Sequence, residues 1–493
     1  MNPSDMTPVI IGIGEICDRP TQTSDARDPL SLMRDVAQIA LQDCGTNGDA
    51  AFDSVDIINP ASWAYDDLPG QLCKALSITP ARAVLQPTGG ETPLKAVHAA
   101  ADRIAAGEST LALVVGAEAQ HSVRAAMRIG QTLRWPPKVA GTPDYMAVAQ
   151  FLEPRALQLG LFFPSHVYPF YDLACAHHWG QTPEEAIDES AALWEHYAKV
   201  AKTNPYSWKT DDWSADDIKT PTPKNRLIAW PYTKAQVANP TVNQASAVII
   251  TSLSKARAMG VDDAKIVYIT GGAFADEPRN FMARENYYES PAQTAVLQAV
   301  KGDFDAVELY SCFPVVPKMA KRILGLSDSL PPSVTGGLSF FGAPLNNYMT
   351  HSTCAMVRAI RGGKQTGLLY GQGEFVTKHY ALTLSRSPSN FVRVKDSDQS
   401  NTANAARGDI PAFDADATGP AKIETFTIPY DRSGKAEHGI LVVRTDAGTR
   451  SLAKVILGNG VKLAWLTDPQ TSPIGTRGTL ARGTDGVPLF TPT

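Results

Sequence analysis

The sequence predicts a mixed α/β protein. It should contain a duplicated strand–turn–helix–strand unit with helices covering the sheet, followed by a small C-terminal antiparallel β domain. Three observations carry this. Residues 84–118 read as strand, glycine turn, helix and buried strand. Residues 305–371 repeat that order. Beyond residue 420, short apolar runs alternate with Asp/Gly turns.

In chain order, Val9-Ile10-Ile11-Gly12-Ile13-Gly14 is a buried strand. Asp28 caps a helix with Pro29 in its first turn, Leu32, Val36, Ile39 and Ala40 on its apolar stripe, and Gly45 closing it. Residues 55–58 form a strand and 72–76 a short helix. The next helix is capped by Thr92 with Pro93 at its first position. Its stripe is Leu94, Val97, Ala101 and Ile104, and Gly107 ends it. The apolar run LALVVGAE follows as a strand buried on both faces. Taken alone, this rhythm implies a mostly parallel sheet.

Residues 120–235 break the pattern with a Trp-, Pro-, Tyr- and His-rich insertion. One helix inside it is marked by the capping box Thr182-Pro183-Glu184-Glu185, with Ile187, Ala191, Trp194 and Tyr197 or Ala198 facing inward. Insertions of this length usually cover a site. The core resumes with a strand at 248–251, a helix through Ala256 and a strand at 266–269. The second half brings a strand at 305–309, a glycine-rich turn at 334–344, a helix at 345–360 and a strand at 367–371. Residues 385–420 are polar, as in a linker. Strands at 423–430, 439–445 and 451–457 then make up the terminal β domain.

Hydrophobic residues make up 43 % and charged residues 19 %, with a formal net charge of −5, so nothing points to nucleic acid or an anionic membrane surface. Six scattered cysteines with no CxxC pair argue against a metal site or a disulfide framework and for a reducing, cytoplasmic setting. No apolar stretch reaches the ~18 residues of a membrane-spanning helix. Gly12-Ile13-Gly14 lacks the third glycine of a dinucleotide fingerprint, and no P-loop is present.

Lys95-Ala96-Val97, Ala106-Gly107-Glu108 and Gly116-Ala117-Glu118 resemble the thiolase segment in which the nucleophilic cysteine opens a buried helix. The resemblance spans about residues 8–384. It implies a duplicated βαβαβ fold with layered helices and mixed sheets, with a thiolase N-terminal half at 1–119, completed by 236–262, and a loop domain over the coenzyme A site at 120–235. The C-terminal half would be 263–384, followed by a linker at 385–420 and a β domain at 421–493, the last as in a thiolase-like subgroup with a C-terminal extension. Asn243-Gln244-Ala245 stands where thiolases carry Asp-Gly-Ala.

The catalytic positions depart from the pattern. Gly90 occupies the cysteine's place, so this loop offers no covalent nucleophile, although backbone N–H groups at the helix start can still form an oxyanion or anion site. Glu91 either reaches the pocket or is an exposed turn carboxylate. Tyr310-Ser311-Cys312-Phe313 resembles the His-Asp-Cys-Phe motif of sterol-carrier-type thiolases, with Tyr310 replacing the histidine. Gly336-Gly337…Gly342-Ala343-Pro344 resembles Gly-Gly-x-x-x-x-Gly-His-Pro, with Ala343 replacing the activating base. Asn346, Asn347 and His351 follow at helical spacing. His351 and Cys354 form either a Cys–His dyad or, more commonly, a histidine beside a small buried cysteine. Tyr370 stands near the second thiolase cysteine, with Lys378-His379 beyond it.

Tyr310, His351, His379 and Asn347 are therefore the expected catalytic groups, with Gly90 and Glu91 at the vacated turn. Asn225, Arg226, Lys234, Asn239, Gly342, Asn346 and Lys378 are the expected substrate or coenzyme A contacts. The implied function is a non-canonical acyltransferase or C–C-cleaving enzyme, related to acetyl-CoA acetyltransferases, on a β-keto acid or β-ketoacyl-CoA. CoA or water would attack directly, with no metal and no acyl-enzyme. The alternatives are a non-catalytic acyl-CoA-binding protein and a retro-aldol lyase on a β-hydroxyacyl-CoA. The aromatics of the insertion (Trp135, Phe162, Phe163, Tyr168, Phe170, Tyr171) point to a bulky acyl group or simply to packing. The resemblance leaves a monomer or a homodimer open.

Overall fold

The computed structural model describes residues 6–45, 51–139, 144–388, 397–458 and 461–493. Residues 389–396, within the stretch read as a linker, lie outside the described residues. Nine strands form one sheet in the spatial order Arg82–Leu85, Ser54–Ile58, Leu111–Ala119, Asn243–Ser252, Pro8–Cys17, Val267–Asp276, Lys378–Ser385, Thr366–Gly373, Ala306–Leu309. The duplication is visible in the wiring. Ser54–Ile58 runs parallel to Leu111–Ala119, as Ala306–Leu309 does to Thr366–Gly373. In each half the next two contacts across the sheet are antiparallel. The halves meet where Val9 and Ile10 pair with Tyr268 and Val267.

The sheet is thus mixed and not mostly parallel. Lys378–Ser385 follows Thr366–Gly373 through a tight turn, a hairpin that no helical crossover separates. Asn243–Ser252 returns from the insertion antiparallel to both of its neighbours.

Local signals set the helix ends. The Asp28 carboxylate accepts from Ser31 N–H at 3.3 Å, and Thr182 and Glu185 form the full capping box. The helix Thr92–Ala106 differs from expectation: Glu91 holds the cap position, no side chain caps it, and Gly107 closes it in the left-handed region. Ile39 is 36 % exposed, and Met33 and Ala37 take its place on the buried stripe. Thr92–Ala106 and the helix Tyr348–Arg361 contribute Leu94, Val97, Ala101, Met349, Met356 and Val357 to the main core.

The terminal strands Gly419–Pro429, His438–Thr445, Arg450–Ile456, Arg477–Arg482 and Pro488–Pro492 close into a barrel, with the short helix Val461–Leu466 before the fourth. All pairs are antiparallel except Arg450–Ile456 with Pro488–Pro492. Alternation along these strands serves two interiors. Leu441, Val443, Ala453 and Val455 fill the barrel, while Ile440, Val442 and Leu452 pack into the main core. Strand Leu227–Trp230 of the insertion extends the barrel by pairing with Ile428 and Pro429. Arg450, fully buried, donates to the Met282, Arg284 and Glu285 carbonyls and to Glu424. Within the stretch read as a linker, residues Ser400–Ala406 are helical and Phe413 bridges to Arg450.

Candidate functional site

The four loops expected to converge do so at the start of the helix Thr92–Ala106. At the turn before it, a Cβ added to Gly90 would overlap the Tyr310 hydroxyl and the Gln372 carbonyl oxygen, and would lie 2.8 Å from the ring carbon bearing that hydroxyl. The phenol therefore fills the space a residue-90 side chain would need. Burial, with Cys312 and Glu91 nearby, holds that phenol protonated, its pKa well above the usual tyrosine value. Tyr310 N–H donates to the Tyr370 carbonyl at 3.0 Å, which ties the second loop to the fourth.

Glu91 is buried and not an exposed turn residue. Its carboxylate lies over the backbone of Gly89 and Gly373, where a Cβ at Gly89 would come 2.5 Å from either oxygen, so a side chain at either position would push Glu91 aside. One Glu91 oxygen has no hydrogen-bond partner among the described residues. Burial raises its pKa to about 7, and nearby Lys378 opposes the rise.

Cys312 sits beside Tyr310 with its Sγ donating to Gln372 Oε1 at 3.5 Å; burial pushes the thiol up to about 12, so it is no nucleophile at neutral pH. On the third loop, Gly336, Gly337 and Gly342 all have positive φ, and a Cβ at Gly336 would lie 2.6 Å from Ala201 Cα. Ala343 is buried and donates its N–H to Asn239 O at 2.9 Å.

Asn346 faces the first loop: its Oδ1 accepts from Gly89 N–H at 3.2 Å and its amide donates to Asn59 O at 2.8 Å. Asn347 donates to Ser246 Oγ at 3.0 Å, and its Oδ1 has no hydrogen-bond partner among the described residues. His351 is fully buried, its Nδ1 2.7 Å from Glu15 Oε1 and its Nε2 unpartnered among the described residues. Glu15 is shared with Arg358. Cys354 Sγ donates to the carbonyls of Gly14 and Ala247, so the pair does not form a Cys–His dyad.

On the fourth loop, His379 Nδ1 lies 2.7 Å from the Tyr370 hydroxyl and Nε2 3.3 Å from Ser290 Oγ. Burial pushes this imidazole down to about 4, so it is neutral at physiological pH. Lys378 pairs with Glu374 at 3.1 Å. The turn between these strands is strained, with Glu374 and Val376 both at φ 56°. It is held from outside: Tyr168 donates to Glu374 O, Tyr171 to Phe375 O and Arg284 to Val376 O. Tyr197 likewise donates to Leu309 O, and Phe313 stacks on Tyr168 at 4.3 Å. The insertion's aromatics Tyr168, Phe170 and Tyr171 thus serve as packing and as bolts on the site loops.

The other expected contacts are spread out. The Asn225 side chain is spent on the carbonyls of Asp217, Ile218 and Thr220 and on Ala235 N–H. Arg226 donates to the Leu227 and Asp431 carbonyls, Lys234 is exposed, and Asn239 Oδ1 accepts from Thr241 N–H. Gly342 abuts Gln244, whose buried Oε1 has no hydrogen-bond partner among the described residues. Sequence reading missed Glu15, Ser290 and the tyrosine bolts. Only the tyrosine density of the insertion signalled any of these.

Residues 403–483 match the family described as the thiolase-like protein type 1 additional C-terminal domain. Over 99 % of both chains, the structure is similar to a monomeric SCP2-thiolase-like protein type 1 from Mycobacterium smegmatis, with 26 % identity and a TM-score of 0.80. The chain has a thiolase-like fold that carries an additional C-terminal domain. Human mitochondrial 3-ketoacyl-CoA thiolase shares the fold at 16 % identity, covering 78 % of this chain and 100 % of its own, with a TM-score of 0.54. A structure described as the Ltp2-ChsH2(DUF35) aldolase shares it at 17 % identity, 78 % and 98 % coverage and a TM-score of 0.58. No curated protein sequence matches the thiolase-like chain. None of its described helices is long and apolar enough to cross a membrane.

Proposed function

We propose that the protein cleaves or forms a carbon–carbon bond in a β-oxygenated acyl-CoA thioester by acid–base chemistry, without an acyl-enzyme. The observation that carries this is the Tyr310 hydroxyl in the space of a residue-90 side chain, close to a buried carboxyl whose pKa lies near 7. Such a pair suits proton transfer at neutral pH. Thiolase-fold neighbours provide context: one of them is a 3-ketoacyl-CoA thiolase solved with CoA, at 15 % identity and a TM-score of 0.55.

Two routes fit this class. Direct attack by the CoA thiol or water on a β-ketoacyl-CoA needs a second reactant activated in place, and Ala343 offers no base for it. Retro-aldol cleavage of a β-hydroxyacyl-CoA needs one base and one acid, and is favoured. The Glu91 carboxylate takes the β-hydroxyl proton, the Cα–Cβ bond breaks, and Cβ leaves as a carbonyl. The electron pair moves into the thioester enolate, whose oxygen is held by the Gly90 N–H at the helix start. Tyr310 then delivers a proton to Cα and recovers one from Glu91. A neighbour described as part of an aldolase complex agrees with this route.

The test is mass-spectrometric product detection with β-hydroxyacyl- and β-ketoacyl-CoA panels, with and without free CoA. A CoA-independent carbonyl product, lost in Tyr310→Phe and Glu91→Gln, is expected. A CoA-dependent product would shift the reading to direct thiol attack. Thioester binding without turnover on any substrate would overturn both in favour of an acyl-CoA-binding protein.

A further inference from the structure

A groove of about 600 Å3 lies on the outer helical face of the C-terminal half, among residues with no place in the proposed chemistry. Its floor is apolar: Ala295 and Ala299 of the helix Pro291–Ala299 face Met319 and Ile323 of the helix Val315–Leu324. Thr402 and Ala406, one turn apart on the helix Ser400–Ala406, form a wall. That helix runs into the additional C-terminal domain, whose match begins at residue 403. At one end, His178 stacks on Tyr288 with centroids 4.0 Å apart and planes 6° apart, beside Trp179.

Size and charge restrict the occupant. The volume suits a small molecule, in the usual range of roughly 300–1,000 Å3. Arg322 is already engaged: it donates to both Glu189 oxygens at 2.7 and 3.0 Å and lies 3.6 Å over the Trp179 ring. The lining carboxylate, Glu289, is exposed and repels anions. Thr294, Gln298 and Thr402 add neutral hydrogen-bonding groups to the rim. We propose that the groove is a second binding site, for one non-anionic amphipathic small molecule with a flat apolar body.

The site also touches the catalytic scaffold. Ser290 lines the groove, and its hydroxyl donates to Glu277 at 3.0 Å and lies 3.3 Å from His379, which is bonded to Tyr370. An occupant resting on Ser290 therefore meets the hydrogen-bond chain behind the fourth loop. The inference does not depend on the proposed reaction.

The test uses N-phenyl-1-naphthylamine, an uncharged dye with flat apolar rings and one N–H, against the full chain. Saturable binding of one dye per chain with blue-shifted emission is expected. Thr402→Trp, at an exposed position, and Ala299→Phe should each weaken it at least tenfold with an unchanged circular dichroism spectrum. The sulfonated analogue 1-anilinonaphthalene-8-sulfonate should bind at least tenfold more weakly. Absence of saturable binding, or binding unchanged in Thr402→Trp, overturns the site. Equal or tighter binding of the sulfonate overturns its assignment to a non-anionic ligand.

Discussion

Restoring a cysteine at residue 90 should not restore a thiolase. In Gly90→Cys the new Cβ meets two oxygens at once, the Tyr310 hydroxyl and the Gln372 carbonyl. The phenol sits at the end of a side chain and can swing aside. The carbonyl cannot, because Gln372 is paired with His379 in the central sheet. Overpacking of this kind typically costs about 1–3 kcal/mol, and the fixed carbonyl argues for the upper half of that range. Urea denaturation of parent and variant gives the difference directly, as a lowered midpoint at unchanged slope. The double variant Gly90→Cys/Tyr310→Ala separates the two clashes. Removing the phenol relieves one overlap, so the two costs should fall short of additive by about 0.5–3 kcal/mol, the range for residues in contact. A Gly90→Cys protein as stable as the parent, with its new thiol rapidly alkylated by iodoacetamide at neutral pH, would refute the claim that Tyr310 occupies the space of a residue-90 side chain.

Glu91 should make the fold less stable as pH rises. Its folded pKa of about 7 exceeds the ordinary 4.5, so the native state holds a proton that the unfolded chain releases, and stability declines between about pH 4.5 and 7 by at most ~3 kcal/mol. Glu118 shifts in the same direction, so the quantity to measure is the difference in pH slope between Glu91→Gln and the parent, and equal slopes would contradict the buried-carboxyl picture. His379 works the other way. With its pKa pushed down to about 4, stability is lost on acidification from about pH 6.5 towards 4, and its imidazole NMR shifts should stay in the neutral form at pH 5. Tyr171→Phe leaves the Phe375 carbonyl unpaired beside the strained Val376 and should cost about 1–3 kcal/mol in denaturant unfolding. Arg450→Met orphans the Met282 and Arg284 carbonyls between barrel and body, while Glu285 O keeps Arg444, and should cost more than about 2 kcal/mol; a loss below about 0.5 kcal/mol would mean those groups are re-satisfied.

What could be read from sequence was local. The Thr182 capping box, Gly107 in the left-handed region and the glycines of the third loop depend on neighbours a few residues away, and each was found where its residue type implied. The duplicated strand–turn–helix–strand order was legible for the same reason. What escaped was long-range. Glu15, which holds His351, lies 336 residues away in sequence, and Ser290, which holds His379, lies 89 away. Both His351 and His379 look like free bases on paper, yet tertiary partners have already claimed Nδ1 of one and both nitrogens of the other. Glu91 shows the reverse. A charged residue in a Gly-Gly turn reads as solvated, and only the apposition of Gly89 and Gly373 makes a buried slot for it.

The additional domain follows the same logic and bears on the chemistry. Ile440, Val442 and Leu452 look like ordinary barrel strands in sequence, but they pack into the thiolase-like core. The insertion strand Leu227–Trp230 completes the barrel edge, and Arg450 fastens it to residues 282–285, whose Arg284 reaches Val376 in the strained turn. The barrel is therefore a brace and not a detachable module. The tyrosines that bolt the fourth loop come from the insertion that the barrel itself grips, since Thr425 donates to the Phe170 carbonyl between Tyr168 and Tyr171. A site of the kind proposed depends on exact placement of its polar groups, and the added domain braces the loops that carry them from outside the duplicated core.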